Sequence, residues 1–166
     1  RQGHRIAMYE NAFNKIERDL RAEDGIANEL DYVEQTSWVL FLKYLHDLEN
    51  ERWDRAELND EDYEPILGDG YRWDQWAAPK DELGAFNRND ARTGEDLVSF
   101  VNAELFPYLA SFRQSATNPQ TIQYKIGEIF TELRNKFRSG YILRDVLEAV
   151  DGLSFNTQAQ RHELSE

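Results

Sequence analysis

Cysteine is absent from this chain, which excludes disulfides and every metal site built on thiolates. Histidine is scarce, with His4, His46 and His162 the only three. No apolar run approaches the roughly 20 residues needed to cross a bilayer, so no membrane segment is expected. Nothing resembles a secretory signal, and a cytoplasmic location is expected. Residues 1–7 (RQGHRIA) read as a non-native leader, with Met8 as the native start. Bases are outnumbered, 19 against 32 acids, for a net charge of −13. That balance argues against strong nucleic-acid binding by this chain alone, because phosphate contacts need clustered Lys and Arg. What remains is 40% hydrophobic and 31% charged, the make-up of one soluble globular domain. At 166 residues it is long enough to bury a sizeable core.

That core is organised by Leu30–Glu49, LDYVEQTSWVLFLKYLHDLE. From Trp38 to Leu45 only Lys43 interrupts the apolar residues. Trp38, Leu42 and Leu45 line one helical face, Phe41, Tyr44 and Leu48 the next, and Val39 and Leu40 widen the arc. A helix apolar around so much of its girth is a central one, wrapped by others. The spacing predicts it over about 30–56, with Asp31 as N-cap and Glu34 completing a capping box.

The other elements follow in order. Tyr9, Phe13, Ile16 and Leu20 predict a first helix over about 9–20. Residues 59–95 are broken by Pro65, Gly68, Gly70, Pro79, Gly84 and Gly94, and form an irregular excursion. Within it Ile66–Leu67 and Tyr71–Arg72 flank Gly68-Asp69-Gly70 as a short β-hairpin, and Trp73–Ala77 forms one helical turn. A third helix starts near Thr93, capped by the Thr93/Asp96 pair, and kinks or restarts at Pro107. Leu97, Phe100, Val101, Leu105, Tyr108 and Phe112 form its apolar face. A fourth has Asn118 as cap, Pro119 at its first position, and the stripe Ile122, Ile126, Ile129, Leu133 and Phe137, stopping at Ser139-Gly140. A fifth spans Ile142–Val150. Residues 156–166 read as a linker and the start of a truncated helix. The fold class is mainly α, a bundle of about five helices over residues 8–155.

A search for chemistry returns no catalytic, cofactor-binding or metal-ligating residue. His46 and Glu49 resemble a Glu-x-x-His metal half-site only in reverse order, and only once, so a surface or partly packed histidine is the plainer reading. Gly68-Asp69-Gly70 lacks the third glycine and the strand-to-helix setting of a nucleotide loop. Asn118-Pro119 is followed by Gln120-Thr121, so it does not form the Asn-Pro-Pro-aromatic motif of amino-methyltransferases. Tyr71, Trp73 and Trp76 would suit base stacking, but their neighbours Asp69, Asp74, Asp81 and Glu82 repel phosphate and favour core packing. Residues 47–96 hold sixteen acids and six bases. Residues 121–146 reverse the sign with Lys125, Arg134, Lys136, Arg138 and Arg144, either a modest basic strip or, more plainly, a solvated helix face.

The Leu30–Glu49 stretch resembles the N-terminal helical domain of the modification (M, HsdM-like) subunit of type I restriction–modification systems. Four further segments are similar to that family and keep its order: Tyr9–Phe13, Tyr71–Lys80, Leu105–Leu109, and Tyr124–Phe130 with Asn135-Lys136, Arg138–Tyr141 and Leu143–Asp145. The resemblance covers Met8 to about Phe155. It implies a parent enzyme that methylates adenine N6 in DNA with S-adenosylmethionine, through a Rossmann-like domain downstream of this one. It implies as partners a specificity subunit, a second M subunit and a restriction subunit, with DNA met through the assembled complex. This domain would then serve assembly and DNA clamping and be inactive alone. The alternative, from the acidity alone, is a freestanding helical adaptor or DNA mimic.

Overall fold

The computed structural model describes residues 2–155, with side chains from Tyr9 onward. Helix α1 (Gln2–Arg21) begins ahead of the expected Tyr9 and buries Tyr9, Ile16 and Leu20 along the predicted stripe. Helix α2 (Glu29–Leu58) starts within a residue of where its spacing predicted, but its cap lies three residues before Asp31. Asn28, with extended backbone, is the N-cap, and its Oδ1 accepts the Asp31 N–H at 2.9 Å. Asp31 is therefore not the cap; inside the first turn its carboxylate accepts the Ala27 N–H at 3.0 Å. Trp38, Val39, Leu42 and Leu45 are buried as expected. Trp38 sends its ring edge-on against Phe106 (5.0 Å) and Phe137 (6.1 Å).

The excursion packs back through its aromatics. Helix α3 (Trp73–Trp76) buries both tryptophans, Trp76 stacks on Phe100, and Tyr71 lies flat on Tyr108 at 3.9 Å. The hairpin expected around Gly68-Asp69-Gly70 is not formed; that triplet is a turn closed by Tyr71 N–H to Gly68 O. The flanking residues are committed elsewhere, Leu67 to the core and Tyr71 to its aromatic stack. Among the described residues the antiparallel bridge is instead Lys80 with Phe86.

Helix α4 (Gly94–Phe100) follows Thr93, whose side chain makes no capping bond, so the Thr93/Asp96 pair is not realised. The chain then widens into a π turn (Val101–Leu105) and continues as α5 (Phe106–Ala110) and α6 (Phe112–Ser115). That is the restart expected from Pro107, whose missing N–H cannot continue the α ladder. Helix α7 (Ile122–Glu132) is capped by Thr121, not Asn118, with the Tyr124 N–H on Thr121 Oγ1 at 3.2 Å. Asn118-Pro119 forms the preceding turn, with Gln120 N–H on Asn118 Oδ1.

The predicted stripe fails beyond Glu132. Residues 133–139 carry no helix, Ile129 is 41% exposed, and Phe130 takes the buried position. Ser139-Gly140 opens a helix rather than ending one: Ser139 caps α8 (Gly140–Asp151), its Oγ accepting the Ile142 N–H. The reason is tertiary. A Cβ on Gly140 would stand 1.8 Å from Gly94 O, so glycine lets α8 start against the α4 backbone. Helix α8 is a second organiser beside α2. Its Leu143, Val146, Leu147 and Val150 are fully buried, and it packs on α1, α2 and α4. No helix among the described residues is long and apolar enough to cross a membrane.

Candidate functional site

The polar groups that enter the core hold backbone. Gln35 donates to Arg134 O at 2.9 Å and accepts the Lys136 N–H at 3.0 Å. Glu23 accepts the Gly25 and Ser139 N–H groups. Lys43, the one break in the apolar run, is buried in an ion pair with Asp47 at 2.7 Å. Asp47 also accepts the Phe155 N–H at 2.8 Å, which pins the chain at that point. Arg144 from α8 reaches Ala77 O and, through two nitrogens, Arg92 O. Asp151 accepts from Trp73 Nε1 at 2.9 Å and pairs with Lys80. Gln35, Glu23, Asp47 and Arg144 thereby fix loop backbone, whose polar groups need partners wherever water is excluded, whereas Asp151 ties two side chains together. For Lys43 and Arg144 the sequence signal is a charged residue inside an apolar helical run.

The cleft closest to chemistry lies beside α2, about 170 Å³, lined by His46, Glu49, Asn50, Trp53, Leu67, Arg72, Trp73 and Asp74. Glu49 is already engaged, accepting from Tyr63 Oη at 3.0 Å and the Ile66 N–H at 2.6 Å. Burial and the Glu49 carboxylate push the Tyr63 phenol up to about 12. His46 is half-buried, its Nε2 3.2 Å from Asn50 Nδ2. Burial holds its imidazole below the ordinary value, against the upward pull of Asp74, Asp47 and Asp151. Glu49 and His46 thus face different partners. Among the described residues no group of three His, Asp or Glu is placed to hold a metal.

The remaining candidates resolve individually. Trp73 and Trp76 are core residues with 2% and 1% of their surface exposed, so no stacking platform is offered. The cationic residues of 121–146 do not form one helix face, because 133–139 carries no helix. Arg144 is buried and Lys136 is paired with Asp31, leaving Lys125, Arg134 and Arg138 exposed. Lys136 holds the Asp31 carboxyl below its ordinary value. Arg134 rims an open groove of about 490 Å³ with Asn102, Phe106, Pro107 and Asn135. His4 and His162 lie outside the residues whose side chains are described.

The sequence matches the HsdM N-terminal domain family over residues 10–166. It is 29% identical over 144 residues to the type I restriction enzyme EcoEI methylase subunit of Escherichia coli, covering 86% of this chain and 26% of that protein. The fold is similar to the crystal structure of a modification subunit assigned to a type I restriction enzyme of Vibrio vulnificus YJ016. That likeness has a TM-score of 0.83 at 28% identity, over 96% of this chain and 33% of that one. A second solved chain, from work on complex assembly and conformational transition of the type I R-M system, gives 0.71 at 27% identity, over 97% and 28%. The chain therefore spans between 26% and 33% of the length of these relatives. With the resemblance running from α1 through α8, the chain belongs to the HsdM N-terminal domain family.

Proposed function

We propose that the chain is the N-terminal assembly and DNA-clamping domain of a type I restriction–modification DNA methyltransferase subunit. The whole protein would transfer a methyl group from S-adenosylmethionine to adenine N6 in the cytoplasm. The observation that carries this reading is the fit of 96% of the chain onto one third of a modification subunit. The domain itself spans residues 8–155, and 156–166 leads onward to the methyltransferase domain.

S-adenosylmethionine does not fit the residues at hand. A Rossmann-like site takes its cofactor on a glycine-rich strand-to-helix turn. The described residues offer helices and one isolated bridge, and buried polar groups such as Gln35 and Glu49 are spent on backbone. The chemistry is therefore assigned to the following domain, and this one to presenting surfaces to the specificity subunit, a second modification subunit and the restriction subunit. DNA is met through that assembly, because the chain's −13 charge opposes a phosphate contact by the domain alone.

Calorimetry with S-adenosylmethionine and a methylation assay test the division of labour. The full-length protein is expected to bind the cofactor and methylate adenine, and the 166-residue chain to do neither. Tight stoichiometric cofactor binding by the 166-residue chain would overturn it.

A further inference from the structure

Helix α8 ends at Asp151, and Leu153, Ser154 and Phe155 carry no helix. All three are nevertheless fixed. The Leu153 N–H reaches Val150 O at 2.9 Å. Ser154 O accepts from Tyr9 Oη of α1 at 3.3 Å. The Phe155 N–H donates to Asp47 Oδ2 of α2 at 2.8 Å, and the Phe155 ring meets Tyr44 edge-on at 6.2 Å. Leu153 and Phe155 are buried, and with Tyr9 they form a small apolar cluster of their own, apart from the main core. Residues that join one domain to the next are ordinarily exposed and make few such contacts, and movement between domains is absorbed there.

Stability alone does not account for the anchor at Asp47. Lys43 interrupts the apolar run of α2 and Asp47 follows one turn on, with 8% and 5% of their side chains exposed. Taking two charges out of water offsets much of their attraction, and an apolar pair of similar volume often serves stability as well or better. What an apolar pair cannot supply is a second acceptor. Asp47 Oδ1 takes the Lys43 ammonium at 2.7 Å, which leaves Oδ2 for a main-chain N–H 108 residues away. The pair thus specifies where Phe155 sits.

We infer that Asp47, paired with Lys43, is a positioning residue for methyl transfer: it holds residues 153–155 on α2, so that the bundle and the methyltransferase domain keep one relative orientation. The inference rests on the function proposed above, in which 156–166 leads on to that domain. Helix α1 through Tyr9 and helix α2 through Asp47 and Tyr44 grip the same three residues, so a movement of either helix is passed to the connection.

The test is the full-length subunit reconstituted with its partner subunits, read by DNA methylation kinetics and by hydrogen exchange at the Phe155 amide. Lys43→Met with Asp47→Leu replaces the pair by apolar residues and removes the acceptor. The urea midpoint is expected to hold or rise, and Phe155 exchange to quicken roughly tenfold. The kcat should fall roughly tenfold or more, with the KM for S-adenosylmethionine unchanged. Lys43→Met with Asp47→Asn keeps a neutral acceptor for the Phe155 N–H and is expected to recover most of kcat. Lys15→Met with Asp19→Leu removes a more exposed i, i+4 pair from α1 and is expected to change neither reading. Unchanged Phe155 exchange in the first variant overturns the anchor. Faster exchange with wild-type kcat overturns the positioning role and leaves the proposed function standing. A fall in kcat matched by a fall in the urea midpoint assigns the effect to folding and overturns that role as well. A wild-type assembly that does not methylate DNA overturns the proposed function and the inference with it.

Discussion

Gln35 does for Lys136 what a neighbouring strand would do. Its side-chain amide donates to Arg134 O and accepts the Lys136 N–H. A carbonyl and the N–H two residues on are the pair that a β ladder satisfies. The same Oε1 accepts Trp38 Nε1 at 2.8 Å, and Gln35 is fully buried. One amide on the central helix thus fixes both the indole at the heart of the core and a non-helical segment about a hundred residues away.

Gln35→Ala should therefore behave like a core deletion. It strands two part-buried backbone groups and a buried indole N–H, each worth about 1–3 kcal/mol when left unmade. A loss of about 3–5 kcal/mol in urea denaturation is expected, the costs being less than additive. A loss below about 1 kcal/mol would mean that solvent reaches the 133–139 segment.

Trp38→Ala is expected to cost about 3–5 kcal/mol, as large aromatic deletions in cores do. Its ring is 2% exposed and meets Phe106 and Phe137 edge-on. A change under about 0.5 kcal/mol, typical of a surface position, would remove α2 from the centre of the bundle.

Glycine-to-alanine exchanges separate packing from propensity. In a helix the exchange ordinarily stabilises by about 0.5–1 kcal/mol. At Gly127 and Gly140 the sign should reverse. The added methyl would stand 2.2 Å from Arg113 N and 1.8 Å from Gly94 O, backbone atoms that cannot rotate away. A loss of at least about 1–3 kcal/mol is expected at each. Gly84→Ala meets no neighbour and pays only for its positive φ, about 1–2 kcal/mol. Thermal melts of the three variants give the ranking.

His46 predicts the acid limb of stability near neutrality. Its folded pKa lies below its ordinary 6.5, chiefly through burial, so the unfolded chain binds the proton more readily. Stability is full above about pH 6.5 and declines as the pH falls from there toward the folded value. His46→Asn should flatten that slope in denaturation series between about pH 7 and 5. An unchanged slope would place the proton uptake elsewhere.

Local chemistry made much of this fold legible. The apolar run around Trp38, the α1 stripe through Ile16 and Leu20, and the break at Pro107 each follow from side chains within a turn or two of one another. The aromatic anchoring of the excursion through Tyr71, Trp73 and Trp76 was legible too, since the acids around those rings disfavour base stacking and leave core packing. The hairpin was misplaced because Gly68-Asp69-Gly70 and Asp81–Gly84 both carry turn residues. Only the second pairs its flanks, Lys80 with Phe86, while Leu67 and Tyr71 beside the first are taken up by the core and by an aromatic stack.

The family, too, was legible in ordered segments of residues, and the absence of cysteine and of long apolar runs had already narrowed the class. The tertiary structure decided the positions where two good local options compete. Asn28 and Asp31 can both cap α2, and Thr121 and Asn118 can both cap α7; the extended backbone at Asn28 and Thr121 settles each case. Ser139-Gly140 can end one helix or start another, and the approach of Gly94 makes it a start. Asp47, Glu49 and Arg144 read as ordinary charges until distant backbone groups arrive to be bonded. Sequence carries the propensity of each residue, whereas burial and the pairing of remote polar groups exist only once the chain has closed on itself.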